Sequence, residues 1–136
     1  MIGRVLKRGS RVAGLLYYLY GPGKACVHSN PHLVSGWRHP AELEPQVREN
    51  GKRDFRRLTE MLELPLAGLG NRAPAKPVWH CVVRAAPGDP DLGDGAWMRI
   101  AAEIMHRTGL SRYGEEDDGV RWAAVRHFPI KWSCCR

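Results

Sequence analysis

The sequence predicts an α+β fold in which an antiparallel sheet carries helices on one face. Three observations predict this class. Three segments place apolar residues at helical spacing, short β-rich runs lie between and beside them, and 43% of the 136 residues are hydrophobic, which is enough for a single core. The predicted order is strand, helix, loop, helix, strand, helix, strand.

The first half of the chain is predicted to begin with a short strand, from Ile2 to Lys7, followed by a one-sided helix. Ser10 stands at the N-cap position of this helix, and Gly21 begins the Gly-Pro-Gly turn that ends it. The apolar stripe of the helix comprises Val12, Leu15, Leu16 and Leu19. Prolines and glycines interrupt residues 24–45, which are predicted to be a loop, and residues 46–64 return to helical spacing.

The second half is predicted to contain two strands around a third helix. Its segments, in order, are a linker at 66–77, a strand at 78–83, a turn cluster at 87–95, a helix from Trp97 that Gly109 ends, an acidic loop at 115–118, and a strand at 120–125 that brings His127 to its end.

Positive charge is concentrated in the first half of the chain. Residues 1–76 contain 13 basic and 6 acidic side chains, whereas residues 77–136 contain 8 of each. Residues 1–41 contain no Asp or Glu, so a polyanion such as DNA should be drawn there first. The candidate DNA-binding side chains are Arg4, Lys7, Arg8, Arg11 and Lys24.

Composition also argues against several classes. No apolar run approaches the roughly 18 residues that cross a bilayer, and the cationic N-terminus lacks a following apolar segment of the signal-peptide type. The four cysteines lack the spacing of a disulfide framework, which fits a reducing compartment. We therefore expect a cytoplasmic protein that does not contact membranes.

Three tyrosines near the end of the first helix form the densest group of reactive side chains. On a helical wheel Tyr17 and Tyr18 point away from the apolar stripe, whereas Tyr20 lies at its edge and should join the core. An exposed phenol can attack a phosphate once a cation stabilises the departing charge. It can equally be an amphipathic surface residue, and spacing alone does not decide between the two.

The histidines offer a second kind of site. Cys26, His28 and His32 have a spacing that could hold zinc, although structural zinc sites usually have four ligands at tighter spacings. His106 is expected to interact with the dipole at a helix C-terminus. His127 closes a strand and is a candidate metal ligand, but one imidazole alone does not make a catalytic metal site.

Several segments together resemble the N-terminal part of the actinobacterial-type mobilisation relaxases, which are HUH-type nucleases. The segments are Gly14-Leu-Leu-Tyr-Tyr18-Leu-Tyr-Gly-Pro-Gly23, His32-Leu-Val-Ser-Gly-Trp37, Pro77-Val-Trp-His-Cys-Val-Val-Arg-Ala-Ala-Pro87, Trp97 to Gly109, and Val120-Arg-Trp-Ala-Ala-Val-Arg-His127. The resemblance covers residues 1–127, which we expect to form a relaxase-like nuclease domain followed by a divergent tail at 128–136.

The resemblance implies site- and strand-specific nicking of DNA in plasmid or conjugative transfer. Tyr18 takes the place of the nucleophilic tyrosine, which forms a 5′-phosphotyrosyl link, and His127 takes the place of the first histidine of the metal motif. The implied cofactor is a divalent ion, Mg²⁺ or Mn²⁺. The implied partners are single-stranded DNA at a transfer origin and other mobilisation proteins.

The sequence departs from the family after His127. The family continues with an acidic residue and a His-hydrophobe-His pair, whereas this chain reads Phe-Pro-Ile-Lys-Trp-Ser-Cys-Cys-Arg. Two expected metal ligands are therefore absent, and the resemblance implies a C-terminally truncated relaxase that is inactive alone. The strand ending at His127 would then have an unpaired edge, which predicts oligomerisation or poor solubility.

Two other interpretations remain open at this point. One is a DNA-binding accessory protein of mobilisation without chemistry, in which Arg53, Arg56 and Arg57 would join the N-terminal cations on phosphates. The other is a small zinc-binding structural module built on Cys26 and its neighbouring histidines.

Overall fold

A computed structural model describes residues 1–21, 29–114 and 120–128. Its elements, in chain order, are β1 (Ile2–Val5), α1 (Val12–Tyr20), β2 (Ser29–Gly36), α2 (Pro40–Leu43), β3 (Gln46–Val47), β4 (Arg53–Asp54), α3 (Arg56–Ala67), β5 (Cys81–Arg84), α4 (Asp94–Arg107) and β6 (Ala123–Phe128). A short 3-10 helix, Gly70–Arg72, follows α3. The α+β class is confirmed. Within the described ranges the longest helix has 14 residues, too few to cross a bilayer.

The strands that the structure describes form three separate two-stranded antiparallel ribbons, β1–β5, β2–β6 and β3–β4. In the β2–β6 ribbon, Leu33 pairs with Val125 and His32 with Arg126. Neighbouring positions of a strand point to opposite faces, so these two pairs lie on opposite sides of the ribbon. Helices cover both sides, since α1 packs on β2 and β6 while Arg126 bonds to Asp94 of α4. Helices therefore lie on both sides of the β2–β6 ribbon, and not on one face as predicted.

The main core lies between the Leu33 side of this ribbon and the helices α1, α2 and α3. Its buried members are Leu16, Leu33, Trp37, Leu43, Phe55 and Leu58. Val12 and Tyr20 from α1, with Ala123 and Val125 from β6, pack around them. Burying apolar surface of this kind contributes roughly 25 cal/mol per Å², which makes this cluster the main stabilising contact of α1.

The predicted loop at 24–45 was wrong for the part that the structure describes. Residues from Ser29 form β2, and Pro40 opens α2 at a helix N-terminus, where its missing N–H costs nothing. His39 caps this helix, because its Nδ1 accepts a hydrogen bond of 3.2 Å from the Ala41 N–H. Asn30 has a φ of +47°, and irregular pairing follows it in the ribbon. The turn-type residues and the irregular pairing remove the alternating pattern by which a strand can be predicted from sequence.

The predicted helix at 46–64 begins only at Arg56. Residues 46–54 instead form a hairpin, in which the Asn50-Gly51 pair makes the turn and Gly51 has a φ of +78°. Asp54 then accepts a hydrogen bond of 3.1 Å from the Arg56 N–H at the start of α3. The helix continues to Ala67, beyond the predicted end.

The remaining elements match the predictions apart from their boundaries. β5 ends one residue beyond the predicted strand at 78–83. A bridge between Gly9 and Val78 extends the β1–β5 ribbon. Helix α4 begins at Asp94, three residues before the predicted start, and Gly109 has a φ of +73° just after it. β6 is shifted toward the C-terminus, so His127 lies inside the strand and Phe128 ends it.

Candidate functional site

Tyr18 lies on the solvent side of α1, as the helical wheel predicts. Leu16 is the buried residue of this helix, whereas Tyr18 is 45% exposed and Tyr17 is 65% exposed. The Tyr17 ring packs edge-on against Phe55, with ring centroids 4.8 Å apart. The predicted Ser10 cap is not formed, because Arg11 occupies the N-cap position and makes no side-chain cap bond. At the other end the Gly21 N–H donates to the Tyr17 carbonyl at 3.0 Å.

Tyr20 is committed to a polar network beside the core. Its hydroxyl donates to Glu44 Oε1 at 3.1 Å, and the Arg53 guanidinium lies over its ring at 4.9 Å. Burial, followed by the charge and hydrogen bond of Glu44, raises the pKa of Tyr20 far above its usual value. Tyr20 is a poor candidate for a nucleophile, because its side chain is partly buried and its hydroxyl donates to Glu44. Tyr17 and Tyr18 are the exposed phenols of α1.

Glu44 organises this network, and no motif or spacing in the sequence indicates its role. Besides Tyr20, its carboxylate accepts a hydrogen bond of 2.7 Å from the Leu33 N–H and one of 3.0 Å from Arg53. The guanidinium of Arg53 also donates to the carbonyls of Pro45 and Pro31. Glu44 thus joins α1, β2 and β4 around one charge.

His127 lies on the strand against which the tyrosine-bearing helix packs. It shares its face of β6 with Ala123 and Val125, which contact the main core, and it is partly buried. Helix α1 contacts β6 directly, so the structure brings the elements that carry Tyr18 and His127 together. Within residues 1–21, 29–114 and 120–128, no group of three or more His, Cys, Asp or Glu side chains could hold a metal ion.

The described residues therefore do not fit the divalent-metal cage that the resemblance implies. His127 supplies one nitrogen, and metal ions in catalytic sites usually take three protein ligands. Cys134 and Cys135 lie outside the described residues, as do Lys24, Cys26 and His28.

His32 is engaged in a charged cluster rather than presented to a metal. Its Nδ1 lies 2.8 Å from the Asn30 carbonyl oxygen and its Nε2 lies 2.9 Å from Asp94 Oδ2. Both neighbours are acceptors, so both contacts are hydrogen bonds only when the ring carries two protons. A zinc ion would have to displace one of these partners. Arg126, whose side chain is 13% exposed, bonds to the other oxygen of Asp94.

The pKa values of this cluster follow from the same contacts. Burial lowers the pKa of His32, but the hydrogen bonds to Asn30 and Asp94 and the nearby carboxylates raise it, and the net direction is upward. The hydrogen bonds from Arg126 and His32 lower the pKa of Asp94. Asp94 is also the first residue of α4, where a negative charge is stabilised by the helix dipole.

The surroundings of His80 and His106 indicate roles in stabilising the fold. Burial lowers the pKa of His80, whose carbonyl accepts a hydrogen bond of 2.9 Å from the Leu6 N–H. His106 lies in the last turn of α4, as predicted, and its Nδ1 accepts a hydrogen bond of 3.1 Å from the Tyr113 N–H. The two rings stack with centroids 4.2 Å apart.

The basic residues divide into paired and available groups. Arg53 is held by Glu44, Arg56 makes a two-pronged contact with Asp54, and Arg57 donates to the Glu42 carbonyl. In contrast, the side chains of the N-terminal group are exposed, and no carboxylate among the described residues forms an ion pair with them. This group consists of Arg4, Lys7, Arg8 and Arg11. Unpaired positive charge is therefore present from β1 to the start of α1, and other exposed cations, such as Arg84 and Arg99, also have no ion pair among the described residues.

Comparison with known proteins gives no further assignment, since no family model, no curated protein and no solved structure matches this chain.

Proposed function

We propose that the protein is a relaxase-like DNA-nicking domain in which Tyr18 attacks a phosphodiester of single-stranded DNA. The observation that carries this proposal is the position of Tyr18. It is an accessible phenol on the helix that follows the available N-terminal cations and that packs against the strand of His127. The resemblance supplies the reaction type, and the arrangement is compatible with it. Such a substrate would place the protein in the cytoplasm, alongside other mobilisation proteins.

The proposed reaction is a transesterification. The Tyr18 oxygen forms a bond to phosphorus, and the bond from phosphorus to the 3′ oxygen of the preceding nucleotide breaks. The phenolic proton passes to solvent, and the leaving 3′ oxygen takes a proton from water. The product is a 5′-phosphotyrosyl link and a free 3′ hydroxyl, as the resemblance implies.

The positive charges near α1 would attract the strand and partly neutralise the phosphate. Arg8 and Arg11 precede the helix directly, and Arg11 is its N-cap residue. Because the described residues supply only one of the metal ligands that the resemblance implies, we expect a low yield of the covalent product from this chain.

The test is a covalent-adduct assay with a pool of random single-stranded oligonucleotides labelled at the 3′ end. The protein is incubated with the pool in Mg²⁺, in Mn²⁺ and in EDTA, and a labelled band that survives denaturing electrophoresis reports the link. Tyr18→Phe should abolish the adduct, whereas the matched variant Tyr17→Phe should keep it. Absence of an adduct from the unaltered protein would refute nicking, and an adduct that survives Tyr18→Phe would move the nucleophile elsewhere.

A second candidate, DNA binding without chemistry, is favoured by the exposed cations that have no ion-pair partner among the described residues. It predicts salt-sensitive binding of DNA in EDTA with no covalent product. Binding that does not change with ionic strength would exclude it.

A further inference from the structure

One face of the β1–β5 ribbon carries alternating basic and aliphatic side chains and is open to solvent. Ile2 and Arg4 of β1 point to the same side as Leu6, which directly follows the strand. The register sets Arg84 opposite Ile2 and Val82 opposite Arg4. These five residues, called here the ribbon face, line a shallow depression of about 210 Å³. The depression is much larger than the space taken by one ordered water molecule.

The ribbon face has two positive charges and no counter-ion in the part of the chain that the structure describes. Arg4 and Arg84 are exposed diagonal neighbours across the two strands, a relation in which Cα atoms are roughly 7–8 Å apart. Two like charges at this spacing repel unless an anion lies between them. The nearby Asp89 is already used, because it accepts hydrogen bonds of 2.8 Å from the Met1 amine and from the Ala86 N–H.

Two aliphatic side chains, Ile2 and Val82, give the ribbon face an apolar component beside its charges. Ile2 is 49% exposed and Val82 is 36% exposed, and each is the cross-strand partner of one of the two arginines. A ligand that matches this face has a weakly polar surface flanked by anions. An unpaired nucleotide has this composition, whereas a duplex hides the faces of its bases in the stack and offers only their edges and the phosphates.

We infer that the ribbon face binds a nucleotide of single-stranded DNA, with the base over Ile2 and Val82 and the flanking phosphates on Arg4 and Arg84. The inference rests on the proposed function for its class of ligand, and it adds a site remote from the reacting phosphate. Ribbon pairing continues to the bridge at Gly9, close to the start of α1. Tyr18 follows about 9 Å along that helix, at 1.5 Å per residue. The bound DNA strand would therefore run from the ribbon face to the Tyr18 hydroxyl.

The test measures binding of a short, fluorescently labelled, mixed-sequence single-stranded DNA by anisotropy in EDTA. Each phosphate contact contributes about 0.7 to the slope of log affinity against log salt, so Arg4→Ala/Arg84→Ala should lower the slope by about 1.4. Between about 50 and 200 mM salt, the unaltered protein should then lose roughly sevenfold more affinity than this variant. Arg4→Lys/Arg84→Lys keeps both charges and should keep the slope, as should Arg99→Ala on α4.

The base contact is tested separately. Ile2→Ser should weaken binding at an unchanged slope, because it removes apolar contact and no charge. A slope that is the same in Arg4→Ala/Arg84→Ala as in the unaltered protein would overturn the inference, and so would an unlabelled duplex that competes as well as a single strand.

The outcome is independent of the adduct assay. Loss of slope in the double alanine variant without any adduct would refute nicking and support the ribbon face. An adduct accompanied by an unchanged slope would support nicking and refute the ribbon face.

Discussion

The Glu44→Ala variant is expected to lose about 3 kcal/mol of unfolding free energy. Glu44 accepts hydrogen bonds from the Tyr20 hydroxyl, the Leu33 N–H and the Arg53 guanidinium. A single bond to a charged group contributes about 1.5–3 kcal/mol, and the loss of this acceptor also leaves a half-buried guanidinium without its counter-charge. The estimate lies well below the sum of three such bonds, because the Glu44 side chain is 29% exposed and water can replace part of the contact.

The assay is urea and thermal unfolding followed by circular dichroism. For a chain of 136 residues, the expected loss lowers Tm by about 10 °C. Glu44→Gln keeps an acceptor oxygen but not the charge, so it should cost about half as much. Glu49→Ala, an exposed change in the β3–β4 turn, should alter the free energy by less than about 0.5 kcal/mol. A Glu44→Ala protein as stable as Glu49→Ala would refute this account of the network.

Two further predictions concern His32 and Gly36. Because the pKa of His32 is raised on folding, its contribution to stability is fully present below its unfolded pKa of about 6.5 and is lost as pH rises through its folded pKa. Urea unfolding across this range should show the decline, and His32→Gln should remove it; an identical pH profile in both proteins would contradict the assignment. Gly36→Ala should cost about 1–3 kcal/mol, because the added Cβ would lie 2.6 Å from Leu43 Cδ1. Gly3→Ala, whose Cβ would meet nothing within 4 Å, is its control in thermal unfolding, and equal Tm values would count against the close packing.

Local periodicity predicted α1 and α4 well, because the apolar stripe of an amphipathic helix is visible in its own residues. The stripe through Leu16 and the exposure of Tyr18 were both confirmed. The strand β2 was missed because its pairing partner, β6, lies far along the chain, and Pro31 inside it disguised the pattern. The hairpin before α3 did have a local signal in Asn50-Gly51, which the helical spacing of the following residues obscured.

The polar organisation of the candidate site could not be predicted in the same way. Its residue type alone makes Arg53 a candidate phosphate ligand, yet in the fold it is held between Glu44 and two proline carbonyls. Likewise, the spacing of His32 is compatible with zinc, but in the fold its two acceptors come from Asn30 and from Asp94 at the start of α4. Such roles depend on which distant segments meet, and residue type does not record this. The nucleophilic role of Tyr18 stays a prediction.

The two longer ribbons set the order in which this chain can fold during synthesis. Ile2 pairs with Arg84 and Leu33 with Val125, so each ribbon joins segments on the order of eighty to ninety positions apart. Closing loops of this length costs conformational entropy before the strand contacts form and offset it. Topologies of this kind therefore fold slowly. The β2–β6 ribbon cannot form until β6 has left the ribosome. Until then Leu33 and the apolar stripe of α1 lack their partners from β6, so this apolar surface stays exposed on the nascent chain and favours aggregation.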